Sequence, residues 1–543
     1  MKDAFPNKSG TIGPLLISGT FTVALIIISV IRAQGIFFPT DEFGYWSNAA
    51  NMLGIDWSAV TASMNSYAPG YSLLLLPLMA LCKTPVIMYR AALLLNALLV
   101  ILAACLLVRL IGILCGRIRL WVLPCLLFPA YLIYMSYTIS EVLLYVLFLE
   151  LCCLMLKISR AEKKAGLIGL GLLLSVLMIL VHHRTVGVAV FFALTCLLCA
   201  GKRPRPSDRK ILLLSVTVLC LLLAAMILYS FTGGRISTKE YTPGLAVDFL
   251  LGIAGKIFYL GASSFGIAIV GLIVAFRKRS EPFFLFYVTS FAYMVLLSSF
   301  FFCGGTRMDQ LMYGRYEEMF IPLLLYIGAE EMRNGTPKAE TGISSSRVWV
   351  ILVMGVTALV LTLYVSFIGK TEYVADFVNG IDWMFGTGMP KVSQIYIRPF
   401  LIASAGFLVL DRLLPEEKKE KICIFCLTAV FLFSAAFLSR KHVWLYQKAD
   451  ISDRQVAESA LTLAGDGREV IFLNSPYNDY MNLLQFWFGD KPLRMTEGLD
   501  PEAFQTSPDA VVITYKNYEC EDQLLARYNE HISSAHFEMY RNK

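Results

Sequence analysis

Charge is scarce in this chain. Asp, Glu, Lys and Arg make up 16% of its 543 residues, where ordinary soluble domains carry roughly 25%. A soluble enzyme of ordinary composition is excluded. So is a disordered chain, which combines low hydrophobicity with high charge. A disulfide framework and zinc-finger spacing are missing too. Of 13 cysteines, eleven fall in or beside apolar segments, and only Cys303 and Cys520 are expected to meet the outer face. Cys196 and Cys199 lie within an apolar run, where thiols behave as small hydrophobes. No basic stretch is interleaved with aromatics in a polar region, so nucleic acid is not an expected partner. There is no internal repeat, no inverted repeat and no low-complexity linker.

What the chain has in excess is apolar sequence. Hydrophobic residues reach 57%, aromatics reach 13%, and the mean hydropathy is +0.64. A spanning helix needs roughly 20 such residues, within a range of about 17–25. Thirteen segments qualify as candidates: 12–31, 86–113, 120–136, 140–157, 165–183, 185–201, 211–231, 256–276, 282–303, 316–331, 347–367, 396–411 and 422–439. The first follows Lys2 and Lys8. It is too long for a signal-peptide core and has no small-residue cleavage site, so it is expected to remain as a transmembrane helix.

Basic residues test this list. They cluster at Arg109, Arg117 and Arg119, then at Lys157, Arg160, Lys163 and Lys164. Further clusters stand at 202–210, at Arg277, Lys278 and Arg279, at Arg333, Lys338 and Arg347, and at 412–421. Every second loop is basic, which places those loops and the N-terminus in the cytoplasm by the positive-inside rule. The net charge of +7 follows from the same loops. The segment 71–82 is apolar but short. Read as a re-entrant or outer-leaflet hairpin broken by Pro69 and Pro77, it preserves the alternation. Read as a span, it inverts the parity of every later loop.

The expected architecture is an all-α polytopic membrane domain over 1–440, followed by a small soluble extracytoplasmic α/β domain over 441–543. In the tail, 469–474 and 510–515 read as buried strands and 477–488 as a helix. The whole is an integral, multi-pass plasma-membrane protein.

The polar minority left on the outer side is compact. Asp41 and Glu42 follow the first span, and 43–53 reads as a short amphipathic helix in the interface, anchored by Tyr45 and Trp46. Thr40 is positioned to cap it, with the two carboxylates in its first turn. Arg90, Glu141, His182, His183 and Arg184 stand at turns on the same side. The loop 303–315 carries Arg307, Asp309, Tyr313 and Arg315, followed by Tyr316, Glu317 and Glu318. Charges near membrane depth are expensive and are usually paired or functional.

In order, these motifs resemble the GT-C glycosyltransferases, polytopic enzymes that use polyprenyl-phosphate-linked sugars. The matching residues are Asp41-Glu42, the run Tyr67 to Leu74, and Arg90 before Leu93-Leu94. Ser140-Glu141, Arg184 to Gly187, and Gly314-Arg315-Tyr316 with Pro322 complete the set. The order is similar to that of the protein O-mannosyltransferase and aminoarabinose-transferase branch over roughly 12–440. One departure is Ala68-Pro69, where a double proline is usual. The resemblance implies Asp41 as the catalytic carboxylate, with Glu42 to orient it or stand in for it. It implies Arg315 and Tyr316 at the donor phosphate, with Arg90 and Arg184 as further candidates. Glu141 would support an arginine, and Tyr67 and His183 would support the site.

This chemistry suits the residue types. A carboxylate takes the acceptor's proton and offsets oxocarbenium charge, and a planar guanidinium clamps the leaving phosphate. The implied partners are a polyprenyl-phosphate sugar donor, a lipid, glycan or protein acceptor, and membrane lipids. No cofactor is implied, and Asp41, Glu42, His182 and His183 are not expected to bind a divalent metal. Two other functions are compatible with outer-face arginines: transport or flipping of lipid-linked sugars, and polymerisation or ligation of polysaccharide. The missing repeats argue against a secondary transporter.

Overall fold

A computed structural model describes residues 12–199 and 245–542, apart from interruptions at 38, 62–66, 163, 335–344, 371, 373–377, 387, 415–416, 446, 466, 475–479, 498–508 and 519–520. The expected span 211–231, the basic cluster 202–210, Lys163, Lys338 and Cys520 lie outside the described residues. The chain forms two compact units.

The first unit comprises Met1–Thr22, Val100–Ile133 and Glu141–Leu438. Its helices are the end of α1 (Ile12–Arg32) that precedes Val23, most of α5 (Pro85–Cys115), α6 (Val122–Leu126), α7 (Pro129–Tyr134), α8 (Glu141–Arg160), α9 (Ala165–Val181) and α10 (Val186–Cys199). They continue with α11 (Leu245–Ser263), α12 (Ile267–Arg277), α13 (Pro282–Phe302), α14 (Ile321–Asn334), α15 (Ser345–Ile368), α16 (Val392–Leu413) and α17 (Glu417–Ser439). Helices are what such a sequence must form, because in hydrocarbon each backbone amide has to find its partner within its own segment. Among the described residues of the chain, 7 helices are long and apolar enough to cross a membrane, so this is an integral membrane protein. Shorter apolar helices account for several of the other expected spans.

Two expected spans are divided. Segment 256–276 is the end of α11 and all of α12, separated at Phe265 and Gly266, whose φ values are 51° and 76°. Segment 120–136 is α6 and α7, and α7 begins at Pro129, which has no amide to continue a preceding helix.

The second unit comprises Val23–Leu99, Tyr134–Ser140 and Ser439–Lys543. It contains α2 (Pro39–Met52), α3 (Ser58–Thr61) and α4 (Pro69–Leu81). Its C-terminal part holds α18 (Gln447–Gly465), α19 (Tyr480–Phe488), α20 (Glu521–Arg527) and strands β1 (Val470–Asn474), β2 (Arg494–Glu497), β3 (Val511–Tyr515), β4 (Glu530–Ser533) and β5 (Phe537–Arg541). The sheet order is β2-β1-β3-β5-β4. Strand β1 pairs in parallel with β2 and β3, and β5 pairs antiparallel with β3 and β4. The two strands legible in the sequence are β1 and β3, the apolar pair at the middle. The three missed strands contain or adjoin charged residues, which hide the strand signal.

Segment 71–82 differs from expectation in one respect. Pro77 does not break it: α4 is a single helix with Pro69 at its start and Pro77 inside. At 13 residues it rises about 20 Å, short of the roughly 30 Å hydrocarbon core. Cys303, expected at the outer face, is buried at 3% exposure with its Sγ 2.9 Å from the Phe300 carbonyl.

Because α4 is short, Lys83→Cys should react with a membrane-impermeant maleimide added to intact cells, as Asp56→Cys does. Both positions are exposed. Reaction at Lys83→Cys only after the cells are opened would show that α4 crosses the membrane.

Candidate active site

Helix α2 delivers two adjacent carboxylates to very different surroundings. Glu42 is fully buried. It accepts the Phe37 N–H at 2.6 Å, the Thr138 N–H at 2.7 Å, the Thr138 hydroxyl at 2.5 Å and the Tyr89 hydroxyl at 2.8 Å. A carboxylate has about four acceptor positions, so Glu42 is saturated. It ties the chain before α2 to the start of α5 and to the segment 134–140. The Trp46 indole donates to the Thr138 hydroxyl at 2.9 Å, and the Tyr45 hydroxyl donates to Ser140 at 2.7 Å. The first turn of α2 is thereby fixed from several sides. Helix α2 begins at Pro39, so Thr40 lies inside the helix rather than at its cap.

Asp41 is only half-buried. Its Oδ1 accepts the Tyr67 hydroxyl at 2.9 Å. Tyr67 is placed by its ring packing, 5.1 Å from the Tyr45 ring, and by its carbonyl, which accepts the Asn48 side-chain amide at 2.8 Å. The ring lies against Gly44, where any Cβ would collide with it. Glycine at 44 therefore lets Tyr67 approach α2 and reach Asp41.

The C-terminal segment belongs to the same packing. The Phe486 ring meets Trp46 edge-on at 5.6 Å and Tyr89 at 6.0 Å. The Trp487 indole donates to the Gln34 carbonyl at 3.1 Å, and the Trp57 indole to the Gly489 carbonyl at 2.7 Å. Helix α19 thus forms part of the core on which the carboxylate turn rests. The sequence shows α19 as apolar and aromatic but not what it covers.

The membrane unit holds a second cluster. Glu141 opens α8, Arg184 stands in the 3-10 turn His183–Thr185, and Arg315 and Tyr316 follow the turn Gln310–Met312. Arg184 pairs with Glu141 Oε1 at 2.8 Å, and Arg315 pairs with the same oxygen through Nε. The Arg184 guanidinium lies 4.5 Å from the Tyr316 ring centre. Both arginines are only 8% exposed. Two buried guanidinium groups thus share one carboxylate oxygen. Glu141 Oε2 and Arg184 Nε are buried with no hydrogen-bond partner among the described residues. Beside them, His182 Nδ1 accepts the Arg184 backbone N–H at 3.3 Å, and His183 is half-exposed.

The loop carrying Arg315 is anchored by residues the sequence did not single out. Lys256, fully buried on α11, donates to the carbonyls of Gln310 at 2.9 Å and Leu311 at 3.2 Å. Gly255 leaves no Cβ to strike the Leu311 carbonyl. Ser298 donates to Glu317 at 2.5 Å, and the Tyr259 hydroxyl donates to Glu318. Arg307 pairs with Asp309. A lone Lys inside an apolar helix was the available signal. The expected span 256–276 puts Lys256 at a helix edge, whereas α11 begins eleven residues earlier, at Leu245.

The structure therefore gathers Asp41, Glu42 and Tyr67 in one place, and Glu141, Arg184, Arg315 and Tyr316 in another. Arg90 stands apart from the second group. Its Nε donates to the Ala33 carbonyl at 3.1 Å and its Nη2 to the Ile31 carbonyl at 2.7 Å, capping the end of α1. Among the described residues, no group of three or more His, Cys, Asp and Glu side chains is arranged to hold a metal ion.

The chain matches no protein-family model and no curated protein. Solved structures do match it. ArnT from Cupriavidus metallidurans in the apo state aligns with a TM-score of 0.54 at 14% identity, over 98% of this chain and 99% of that one. The same protein bound to undecaprenyl phosphate aligns with a TM-score of 0.56 at 13% identity, over 97% and 98%. The fold is ArnT-like, and the likeness extends through the C-terminal segment.

The contrast between the two carboxylates has a measurable consequence. Glu42→Gln puts an amide donor among four donors and should lower stability by about 1–3 kcal/mol. Asp41→Asn should change it by less than about 0.5 kcal/mol, because the position is partly exposed and Asn keeps an oxygen to accept the Tyr67 hydroxyl. Thermal melting of the two purified variants checks this, and equal losses would contradict the assignment.

Proposed function

We propose that this chain is a membrane glycosyltransferase that moves a sugar from a polyprenyl-phosphate donor to a hydroxyl or amine of a lipid, glycan or protein at the outer face. The observation that carries this reading is the buried Glu141–Arg184–Arg315 cluster, in which two arginines share one carboxylate oxygen, set in a fold shared with a protein solved with undecaprenyl phosphate. The same likeness favours transfer over transport.

The chemistry follows from the residues. The acceptor's lone pair attacks the anomeric carbon opposite the phosphate, and the sugar–oxygen bond breaks with its electrons going to the phosphate. The anomeric centre inverts. Arg315 and Arg184 stabilise the charge gathering on the phosphate oxygens, with Glu141 holding both guanidinium groups in place. Tyr316 lies against Arg184 and restricts its rotation. Asp41 takes the acceptor's proton, and its partial exposure leaves room for an acceptor to approach. Tyr67 fixes the orientation of Asp41, and Glu42 positions the turn. Arg90 acts on this turn through the end of α1 rather than on the phosphate. His183 flanks Arg184. No step needs a divalent ion, so transfer should survive EDTA.

In this reading the chain is a membrane body with an extracytoplasmic tail, its N-terminus in the cytoplasm, in a plasma membrane. We keep 441–543 as the extracytoplasmic domain and assign α19 to support of the Asp41 turn.

The test replaces Asp41 by Asn. Cells lacking the protein and complemented with Asp41→Asn should show the same missing glycan or lipid modification, by mass spectrometry, as cells with no protein. In membranes supplied with polyprenyl-phosphate sugar, turnover should fall by roughly 10²–10⁴-fold, the usual contribution of a general base. Wild-type turnover in Asp41→Asn would overturn the assignment.

A further inference from the structure

We propose that the membrane unit carries a second lipid site, a groove between α11, α12 and α13 that binds one anionic phospholipid with its phosphate at Arg277. The groove has a volume of about 530 Å³. Ile253 and Ile257 on α11, Phe276 on α12, and Val288 and Leu296 on α13 line it with hydrocarbon. Arg277 is the only polar side chain in the lining and stands at the C-terminal end of α12.

The charge around that end selects the occupant. Arg277, Lys278 and Arg279 are consecutive and exposed. The Arg279 guanidinium sits 4.2 Å from the Phe276 ring centre and donates to the Phe276 carbonyl at 3.0 Å. Lys278 Nζ sits 5.6 Å from the Phe284 ring centre. Arg277 makes no hydrogen bond or ion pair among the described residues. Glu281 is the single carboxylate of this turn, so three cations face one anion. An apolar trough ending in unmatched positive charge complements an acyl chain ending in a phosphate. Basic pockets between membrane helices on the cytoplasmic side bind anionic lipid headgroups, and the positive-inside pattern puts this turn on that side.

The site is separate from the donor-phosphate cluster. The groove runs along the middle of α13, and its charged end, Arg277, stands five residues before the Pro282 start of that helix. The loop bearing Arg315 follows the other end, after Phe302. The occupant is therefore a resident phospholipid rather than the sugar donor.

Native mass spectrometry of the full chain with phosphatidylglycerol, phosphatidylcholine or undecaprenyl phosphate tests this. Wild-type protein should retain phosphatidylglycerol in preference to phosphatidylcholine. Each cation lost should weaken that preference roughly fivefold, so Arg277→Gln/Lys278→Gln/Arg279→Gln should lose it by on the order of 100-fold. Ala292→Trp projects a large ring into the groove from the exposed face of α13. It should lower phosphatidylglycerol retention while leaving the melting temperature in detergent unchanged. Equal retention of both phospholipids, or retention indifferent to these substitutions in folded protein, would overturn the proposal. Displacement of phosphatidylglycerol by equimolar undecaprenyl phosphate would assign the groove to the donor's tail instead. None of these readings depends on sugar transfer, so the site stands or falls independently of the proposed reaction.

Discussion

Glu141 holds two arginines with one oxygen, deep in a unit made almost wholly of hydrocarbon. A charge buried in such surroundings costs several kcal/mol unless it is paired and hydrogen-bonded. Two arginines meet on one Glu141 oxygen, and among the described residues Glu141 Oε2 and Arg184 Nε have no hydrogen-bond partner. In the proposed reaction this is where the donor phosphate would bind. The surrounding network, from Lys256 on α11 to Ser298 on α13, holds the Arg315 loop in place.

The Asp41–Glu42 pair shows how two identical chemistries are separated by environment. Glu42 accepts four hydrogen bonds and organises the turn, whereas Asp41 keeps one side towards solvent and accepts from Tyr67. The aromatic packing of Trp46, Tyr89 and Phe486 makes the difference rigid. Helix α19 of the C-terminal segment thereby completes the core under the turn.

Much of this was legible in the sequence. Long apolar runs with basic residues in alternate loops gave the helical membrane body, and β1 and β3 were visible as uninterrupted apolar strands. Asp41, Glu141, Arg184 and Arg315 stood out because charge is otherwise rare there. Other features depend on tertiary contacts that leave no local pattern. Arg90 looks like a phosphate ligand until the carbonyls at the end of α1 are seen beside it. Lys256 reads as a helix boundary until α11 is seen to extend back to Leu245. Pro77 reads as a breaker, yet α4 passes through it. The break at Phe265 and Gly266 is invisible in an otherwise apolar run.

The central claim is that the two arginines form the phosphate site. Its most direct measurement is the affinity of purified protein for undecaprenyl phosphate, compared between wild type, Arg315→Ala and Arg184→Ala, with melting temperatures to confirm folding. Loss of one charged partner to a phosphate is worth about 1.5–3 kcal/mol, so each variant should bind at least roughly tenfold more weakly. Wild-type affinity in a folded Arg315→Ala protein would contradict the account.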